Sequence, residues 1–127
     1  MRLLLDTHIA LWAVTAHSSM PARGIELILA ADAVFVSAAS IWEISIKHAL
    51  KPARMSISGQ QALSEFKAAG FSLLAVSPAH AAAVDGLAAH HRNPFDRMLI
   101  AQAIHEPLRL LTCDRQIAAY SELVQLV

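Results

Sequence analysis

Short apolar runs that lack polar alternation recur along the chain, and each is followed by a segment with helical periodicity. The runs occupy residues 1–5, 33–37, 71–76 and 108–112, with a small fifth run at 123–127. Strands that are apolar on both faces are typical of a parallel sheet covered by helices on both sides. The pattern therefore predicts an α/β fold, a three-layer α/β/α sandwich around a central parallel sheet of four to five strands.

The segments between these runs carry residues suited to helix boundaries. Apolar spacing predicts helices over 7–16, 25–31, 40–50, 58–69 and 78–90, with a further helix from Pro94 and a short one from Arg115. Gly70 is a good terminator, and Asn93 is suited to cap the helix that Pro94 begins. Residues 51–58, which include Pro52, form the clearest predicted loop.

Length and composition favour one domain, residues 1–127, whose core needs no disulfide or structural metal. The longest stretch without Asp, Glu, Lys or Arg, residues 68–84, is interrupted by polar residues and proline, so no membrane span is expected. Asp6 and His8 interrupt the apolar start, so no signal peptide is expected. The single cysteine, Cys113, fits a cytoplasmic location and is expected to be a small strand-end residue rather than a catalytic thiol.

Charge and hydropathy limit the possible partners. The ten basic and ten acidic residues cancel, so no global positive field points to nucleic acid, and any chemistry on nucleic acid must depend on a local site. Apolar residues make up 56% of the chain, which indicates buried strands or an extensive partner surface.

Four acidic residues follow predicted strands or begin predicted helices: Asp6, Glu43, Asp96 and Asp114. Each has an ordinary structural alternative, because Asp6 and Asp114 can cap helices and Ser40 with Glu43 matches a capping box. In an open parallel sheet, however, strand carboxyl ends and helix amino ends share one edge. Carboxylates that meet there at about 4 Å repel each other by roughly 1 to 4 kcal/mol per pair, so such a cluster calls for cations.

The ligand type indicates which cation. Carboxylates alone suit Mg²⁺ or Mn²⁺, which keep waters and accept oxygens from substrate phosphates. One or two such ions can lower the pKa of a bound water and orient it for in-line attack, which predicts phosphodiester hydrolysis. A zinc site is not expected, because His90 and His91 are adjacent and the chain has no His-x-x-x-His or Cys-x-x-Cys pair.

Two arginines follow acids of the set, and both stand near helix amino ends where positive charge is disfavoured. Arg97 and Arg115 are therefore candidate contacts to an RNA phosphate, with extension into solvent as the alternative. Lys47 is spaced for a helical ion pair with Glu43. The alternative is that its side chain faces the site formed by the acids. Trp42 is expected in the core or at a subunit interface.

Four segments together resemble PIN domains, and closely the VapC-type toxins of bacterial toxin-antitoxin pairs. They are LLLDTHIALW, VSAASIWEISIK, HRNPFDRMLIAQA and LLTCDRQIAAY, between residues 3 and 120. The resemblance implies a parallel-sheet sandwich, Mg²⁺- or Mn²⁺-dependent ribonuclease activity, homodimerisation and inhibition by a cognate antitoxin. The family's catalytic and metal-binding acids fall on Asp6, Glu43, Asp96 and Asp114, and Thr112 matches a supporting strand-end hydroxyl.

Two positions depart from the pattern of the family. Relatives commonly carry Asp where Asn93 stands, and a Gly-Lys-Leu turn where this chain has residues 50–54. Neither departure touches the four acids. The leading hypothesis is a cytoplasmic, metal-dependent endoribonuclease that acts as a toxin on RNA. The alternative is a catalytically silent α/β module that binds a partner and whose acids are helix caps.

Overall fold

The computed structural model describes residues 1–88 and 93–127. Five strands form one parallel sheet in the order β3-β2-β1-β4-β5. The strands are β1 (Arg2–Leu5), β2 (Ala33–Ser37), β3 (Ser72–Leu74), β4 (Arg109–Thr112) and β5 (Val124–Leu126). The α/β prediction and the predicted parallel sheet are confirmed, and the four strands predicted at 1–5, 71–76, 108–112 and 123–127 are shorter than expected.

Helices connect the strands and cover both faces of the sheet. They are α1 (Thr7–Thr15), α2 (Ala22–Ala30), α3 (Ala38–Leu50), α4 (Gly59–Ala68), α5 (Pro78–Ala83), α6 (Pro94–His105) and α7 (Arg115–Ala118). None of the helices in the described ranges is long and apolar enough to cross a membrane.

Strand side chains alternate between two cores, which makes the sandwich three layers deep. Leu3 and Leu5 pack on one side with Ile9, Ile44 and Phe66 from α1, α3 and α4. Leu4 and Leu110 pack on the other side with Leu99 of α6 and Ile117 of α7. Because both faces of β1 are buried, its residues are apolar without alternation, as the sequence indicated.

Three predicted helix boundaries are wrong by two residues or more. The helix predicted over 25–31 begins at Ala22, directly after Pro21. The helix predicted over 40–50 begins at Ala38, because the Ser37 side chain caps it by accepting from the Ala39 amide at 3.0 Å. Glu43 therefore lies beyond the first turn, and the proposed capping box of Ser40 and Glu43 is not formed.

The helix predicted over 78–90 ends at Ala83 and tightens into a 3-10 turn, Val84–Gly86. The Arg97 guanidinium donates to the Val84 carbonyl at 3.3 Å and to the Ala88 carbonyl at 2.9 Å. It thereby occupies an acceptor that a continuing helix would use for residue 88. The predicted end near His90 and the arrangement of His90 and His91 lie outside the described residues.

Candidate functional site

The carboxyl ends of β1 and β4 form the centre of the candidate site. These strands are neighbours, but the chain continues from each in opposite directions across the sheet. After β1 it passes through α1 and α2 to β2, and after β4 it passes through α7 to β5. Ligands of open parallel sheets bind at such a switch in strand order, in the crevice outside the strand ends. The Asp6 amide donates to the Leu111 carbonyl at 3.0 Å, which extends the pairing of the two strands to the residue after β1.

Asp6 is held on both of its carboxylate oxygens. Its Oδ1 accepts from the Ile9 amide at 2.8 Å and so caps α1, while its Oδ2 accepts from the Thr112 hydroxyl. The side chain is buried, with 6% of the residue exposed. Burial raises the pKa of Asp6, the bonds from Thr112 and Ile9 and the nearby His8 lower it, and the charge of Asp96 raises it. The cap predicted at Asp6 is therefore present, but its burial and its acidic neighbour go beyond what a cap requires.

Asp96 stands in the first turn of α6 without being its cap. The Asn93 side chain accepts from the Phe95 amide at 2.9 Å and from the Asp96 amide at 3.3 Å, and Pro94 takes the first helical position. The capping predicted for Asn93 and Pro94 is confirmed. The half-buried Asp96 carboxylate lies close enough to Asp6 to influence its pKa.

Asp114 connects to Asp6 through Thr112. The Thr112 hydroxyl accepts from the Asp114 amide at 3.0 Å while it donates to Asp6, and Thr112 is fully buried. The Asp114 carboxylate caps α7 by accepting from the Gln116 amide at 2.9 Å. Cys113 lies between them at the strand end, where burial and the negative charge of Asp6 raise its thiol pKa. A raised pKa disfavours the thiolate and agrees with a strand-end role rather than a nucleophilic one.

Glu43 is buried beside the same edge, in contact with side chains from α1 and its own helix. Its Oε1 accepts from the Thr7 hydroxyl at 2.7 Å, and its Oε2 contacts the Lys47 ammonium at 2.6 Å. Thr7 and Ser40 hydroxyls lie 2.9 Å apart; since the single Thr7 proton goes to the carboxylate, Ser40 donates to Thr7. The helical ion pair expected between Glu43 and Lys47 is confirmed.

Thr7 and Ser40 are members of this arrangement that sequence reasoning missed. Both are buried and both lie within the segments that carry the PIN resemblance. A hydroxyl directly after Asp6 was the available signal, but its bond to a residue 36 positions away has no signature in local spacing.

The two arginines proposed as phosphate contacts differ in their surroundings. Arg97 donates to the Val84 and Ala88 carbonyls and lies 3.3 Å from the Tyr120 hydroxyl, so it does not simply extend into solvent. Arg115 is exposed at the start of α7. A phosphate contact at either residue stays a prediction.

The side-chain atoms at this edge that can bind a metal ion are oxygens, which suit Mg²⁺ or Mn²⁺. Within the described residues, no three of the four acids bring ligand atoms within 4.8 Å of one another, whereas His80, His105 and Glu106 do. Mg²⁺ usually keeps several waters and binds through one or two carboxylates, so a site for it does not require three acids to meet at that distance.

The His80 cluster is a structural hydrogen-bonded group in the present side-chain arrangement. His80 Nδ1 accepts from the Ser77 amide at 3.0 Å, so the proton resides on Nε2, which donates to Glu106 at 2.6 Å. Neither ring nitrogen then offers a lone pair to a metal ion.

Comparisons with known proteins identify a family and a fold. The family model described as PIN domain matches residues 3–123. No curated protein matches the chain at a significant level.

Solved structures of similar fold come from several bacteria. VapBC2 of Rickettsia felis, bound to a promoter DNA fragment, is 15% identical with a TM-score of 0.70, and the match covers 100% of this chain and 98% of that one. A toxin-antitoxin complex from Klebsiella pneumoniae is 16% identical with a TM-score of 0.67, covering 97% and 95%. VapC20 of Mycobacterium tuberculosis, a toxin that cleaves the sarcin-ricin loop, is 15% identical with a TM-score of 0.60, covering 94% and 97%. At these identities, the likeness establishes the fold.

Proposed function

Because the chain belongs to the PIN domain family, we propose that it is a Mg²⁺- or Mn²⁺-dependent endoribonuclease that acts as the VapC-type toxin of a toxin-antitoxin pair. The proposal treats residues 1–127 as a single domain and places the protein in the cytoplasm. The observation that carries it is the buried Asp6 carboxylate at the switch point, held on both oxygens and with the acid Asp96 near it. A buried carboxylate whose pKa is raised by burial and by a second acid is in an environment that favours binding of a cation.

Asp6 and Asp96 would hold the ion, with Asp114 and Glu43 as further carboxylates around it. Thr112 fixes the orientation of the Asp6 carboxylate, so that the acid does not have to be reoriented when a ligand binds. Lys47 holds Glu43 and offsets part of its charge. When bound, Mg²⁺ or Mn²⁺ supplies Lewis acidity that stabilises charge on a phosphate under attack by water.

The proposed substrate is RNA, and the proposed protein partners are an antitoxin and a second copy of the chain. One of the similar solved structures is a toxin-antitoxin complex by description, another is VapBC2 bound to a promoter DNA fragment, and a third is a toxin that cleaves the sarcin-ricin loop. Large apolar side chains on the surface support protein partners: Leu29 is 81% exposed and Trp42 is 64% exposed. Trp42 therefore does not lie in the core, while a subunit interface stays a proposal for it.

A metal titration with a matched pair of acid-to-amide variants tests this function. Asp96→Asn removes one charge from the proposed site, and Glu122→Gln removes one from an exposed acid in the turn before β5, at the opposite edge of the sheet. Mn²⁺ at about 100 times its Kd adds about 2.7 kcal/mol to the unfolding free energy of a protein that binds it. We expect the wild type and Glu122→Gln to show this stabilisation and to cleave bacterial RNA with Mn²⁺, and Asp96→Asn to show neither.

The same titration separates the enzyme from the binding module. The caps observed at Asp6 and Asp114 are what the module requires, and in that case Mn²⁺ leaves every variant unchanged. Cleavage by Asp96→Asn at the wild-type rate would show that the site assignment is wrong.

A further inference from the structure

A basic pocket adjoins the candidate site. It is a cavity of about 440 Å³, and four of its six lining residues carry or can acquire a positive charge. The lining is His8, Lys47, Leu50, Lys51, Arg54 and Met55. No Asp or Glu occurs between Glu43 and Glu65, so the segment that builds most of the pocket contains only positive charges. In a chain whose overall charge is zero, this is a local concentration of charge.

The turn after α3 carries two of the cations of the pocket, and its backbone is hydrogen-bonded. The Lys51 carbonyl accepts from the Arg54 amide at 3.0 Å and from the Met55 amide at 3.1 Å, so Lys51 and Arg54 stand on the two sides of one tight turn. His48 Nδ1 donates to the Met55 carbonyl at 2.7 Å, which ties the turn back to the helix. Lys47 lies one helical turn before Lys51, on the same face of the chain. The backbone that carries Lys51 and Arg54 is therefore fixed beside the end of α3.

Two lining residues connect the pocket to the acids. The Lys47 ammonium lies 2.6 Å from Glu43. His8 follows Asp6 by two residues and is close enough to influence it electrostatically. A ligand that spans the candidate site and the basic pocket would therefore contact carboxylates at one end and exposed cations at the other.

We infer that the basic pocket binds backbone phosphates of single-stranded RNA. These phosphates are neighbours of the one that, in the proposed function, is cleaved at the four acids. The inference rests on the proposed function and adds to it the surface that holds the substrate. Carboxylates repel a polyanion, whereas Lys and Arg contacts to phosphates supply affinity without reading the base sequence. The turn at residues 50–54 places Lys51 and Arg54 at this pocket.

Salt-dependent binding without cleavage tests the pocket. The probe is a fluorescein-labelled, mixed-sequence RNA of about twelve nucleotides, a length within single-strand site sizes, titrated with the full chain in EDTA at several salt concentrations. Each lost phosphate contact on a single strand reduces the slope of log K against log salt by about 0.7. We expect Lys51→Ala with Arg54→Ala to reduce the slope by about 1.4. The control, Arg23→Ala with Lys67→Ala, also removes two positive charges, neither from the pocket lining, and should keep the wild-type slope.

The possible outcomes separate this inference from the proposed function. If the wild type cleaves RNA with Mn²⁺ but the pocket variant keeps the wild-type slope, the inference is wrong and the function stands. If only the pocket variant loses RNA affinity and the wild type does not cleave, the pocket is supported and the function is wrong. An equal loss in the control variant overturns the inference. Polyglutamate serves as a second probe, in place of an acidic protein. If the pocket variant keeps its RNA binding but loses binding of polyglutamate, the inference is also overturned and the pocket is assigned to an acidic protein.

Discussion

Replacing Thr112 by Val removes one buried hydroxyl and keeps the shape of the side chain. That hydroxyl donates to Asp6 and accepts from the Asp114 amide, and Thr112 has no exposed surface through which water can substitute for it. A hydrogen bond to a charged group contributes about 1.5 to 3 kcal/mol, and the loss of the hydroxyl's bond from the part-buried Asp114 amide adds a cost of about 1 kcal/mol. We expect Thr112→Val to lower the unfolding free energy by about 2 to 4 kcal/mol at neutral pH.

The pH dependence of this loss identifies its cause. Burial raises the pKa of Asp6 in the folded state, and the Thr112 bond opposes that rise. A raised folded pKa means that Asp6 stabilises the fold fully below its ordinary value of 3.8 and loses that contribution as the pH rises through the folded pKa. Without the hydroxyl the folded pKa rises further, so Thr112→Val should be most destabilising at neutral pH and least so near pH 3.8, where the carboxyl is protonated.

Urea unfolding of the metal-free protein at acid and neutral pH measures both effects. Thr112→Ser is the matched control, since it retains the hydroxyl and loses a methyl group. A Mn²⁺ titration on the same variants adds a readout that packing does not affect, because losing a group that orients a metal ligand typically weakens metal binding about 10- to 100-fold. If the Val and Ser variants are equally stable at neutral pH and bind Mn²⁺ equally, the bond to Asp6 does not orient the acid.

Two further variants probe the charges of the site. Asp6→Asn should unfold at higher urea than the wild type at neutral pH in EDTA, because the buried charge is removed, and should lose the pH-dependent part of the unfolding free energy above pH 3.8. Lys47→Met should cost about 1 kcal/mol at low salt, because Glu43 keeps only its bond from Thr7 and Lys47 is partly exposed. Adding Glu43→Gln to Lys47→Met should recover most of that loss in the same assay, and no recovery would show that the ion pair is not its cause.

The sheet was predictable because its signal is local in the sequence. The run Ala33–Ser37 became a strand with the predicted bounds, since it is apolar and bounded by helix-forming segments. Asn93 and Pro94 begin α6 as predicted, because their capping depends on the next three residues alone. The Gly70 terminator also follows from local chemistry, as its φ of +82° lies in the left-handed region that favours glycine.

Features that depend on distant partners were not predictable in this way. Ser37 and Ser40 are equally plausible caps in the sequence, and the choice between them is set by where β2 ends. At the early end of α5, the Val84 carbonyl accepts from Arg97, thirteen residues away in the sequence. Among the acids, Asp6 could be placed at a strand end, but its bond from Thr112 joins residues 106 positions apart. The sequence pattern predicts the edge of the sheet at which such groups meet. Their individual contacts depend on the order of the strands in the folded sheet.

The two interpretations of the acids, as helix caps and as metal ligands, both apply to the carboxylate of Asp6. A cap needs one carboxylate oxygen, and Oδ1 fulfils that role with the Ile9 amide. The second oxygen is buried and held by Thr112, near the charge of Asp96. Capping alone does not account for keeping a second acid near a desolvated carboxylate, because the arrangement raises the pKa of Asp6 and makes its ionised form costly at neutral pH. A site that binds a cation does account for it, since the ion offsets the charge that destabilises the metal-free fold.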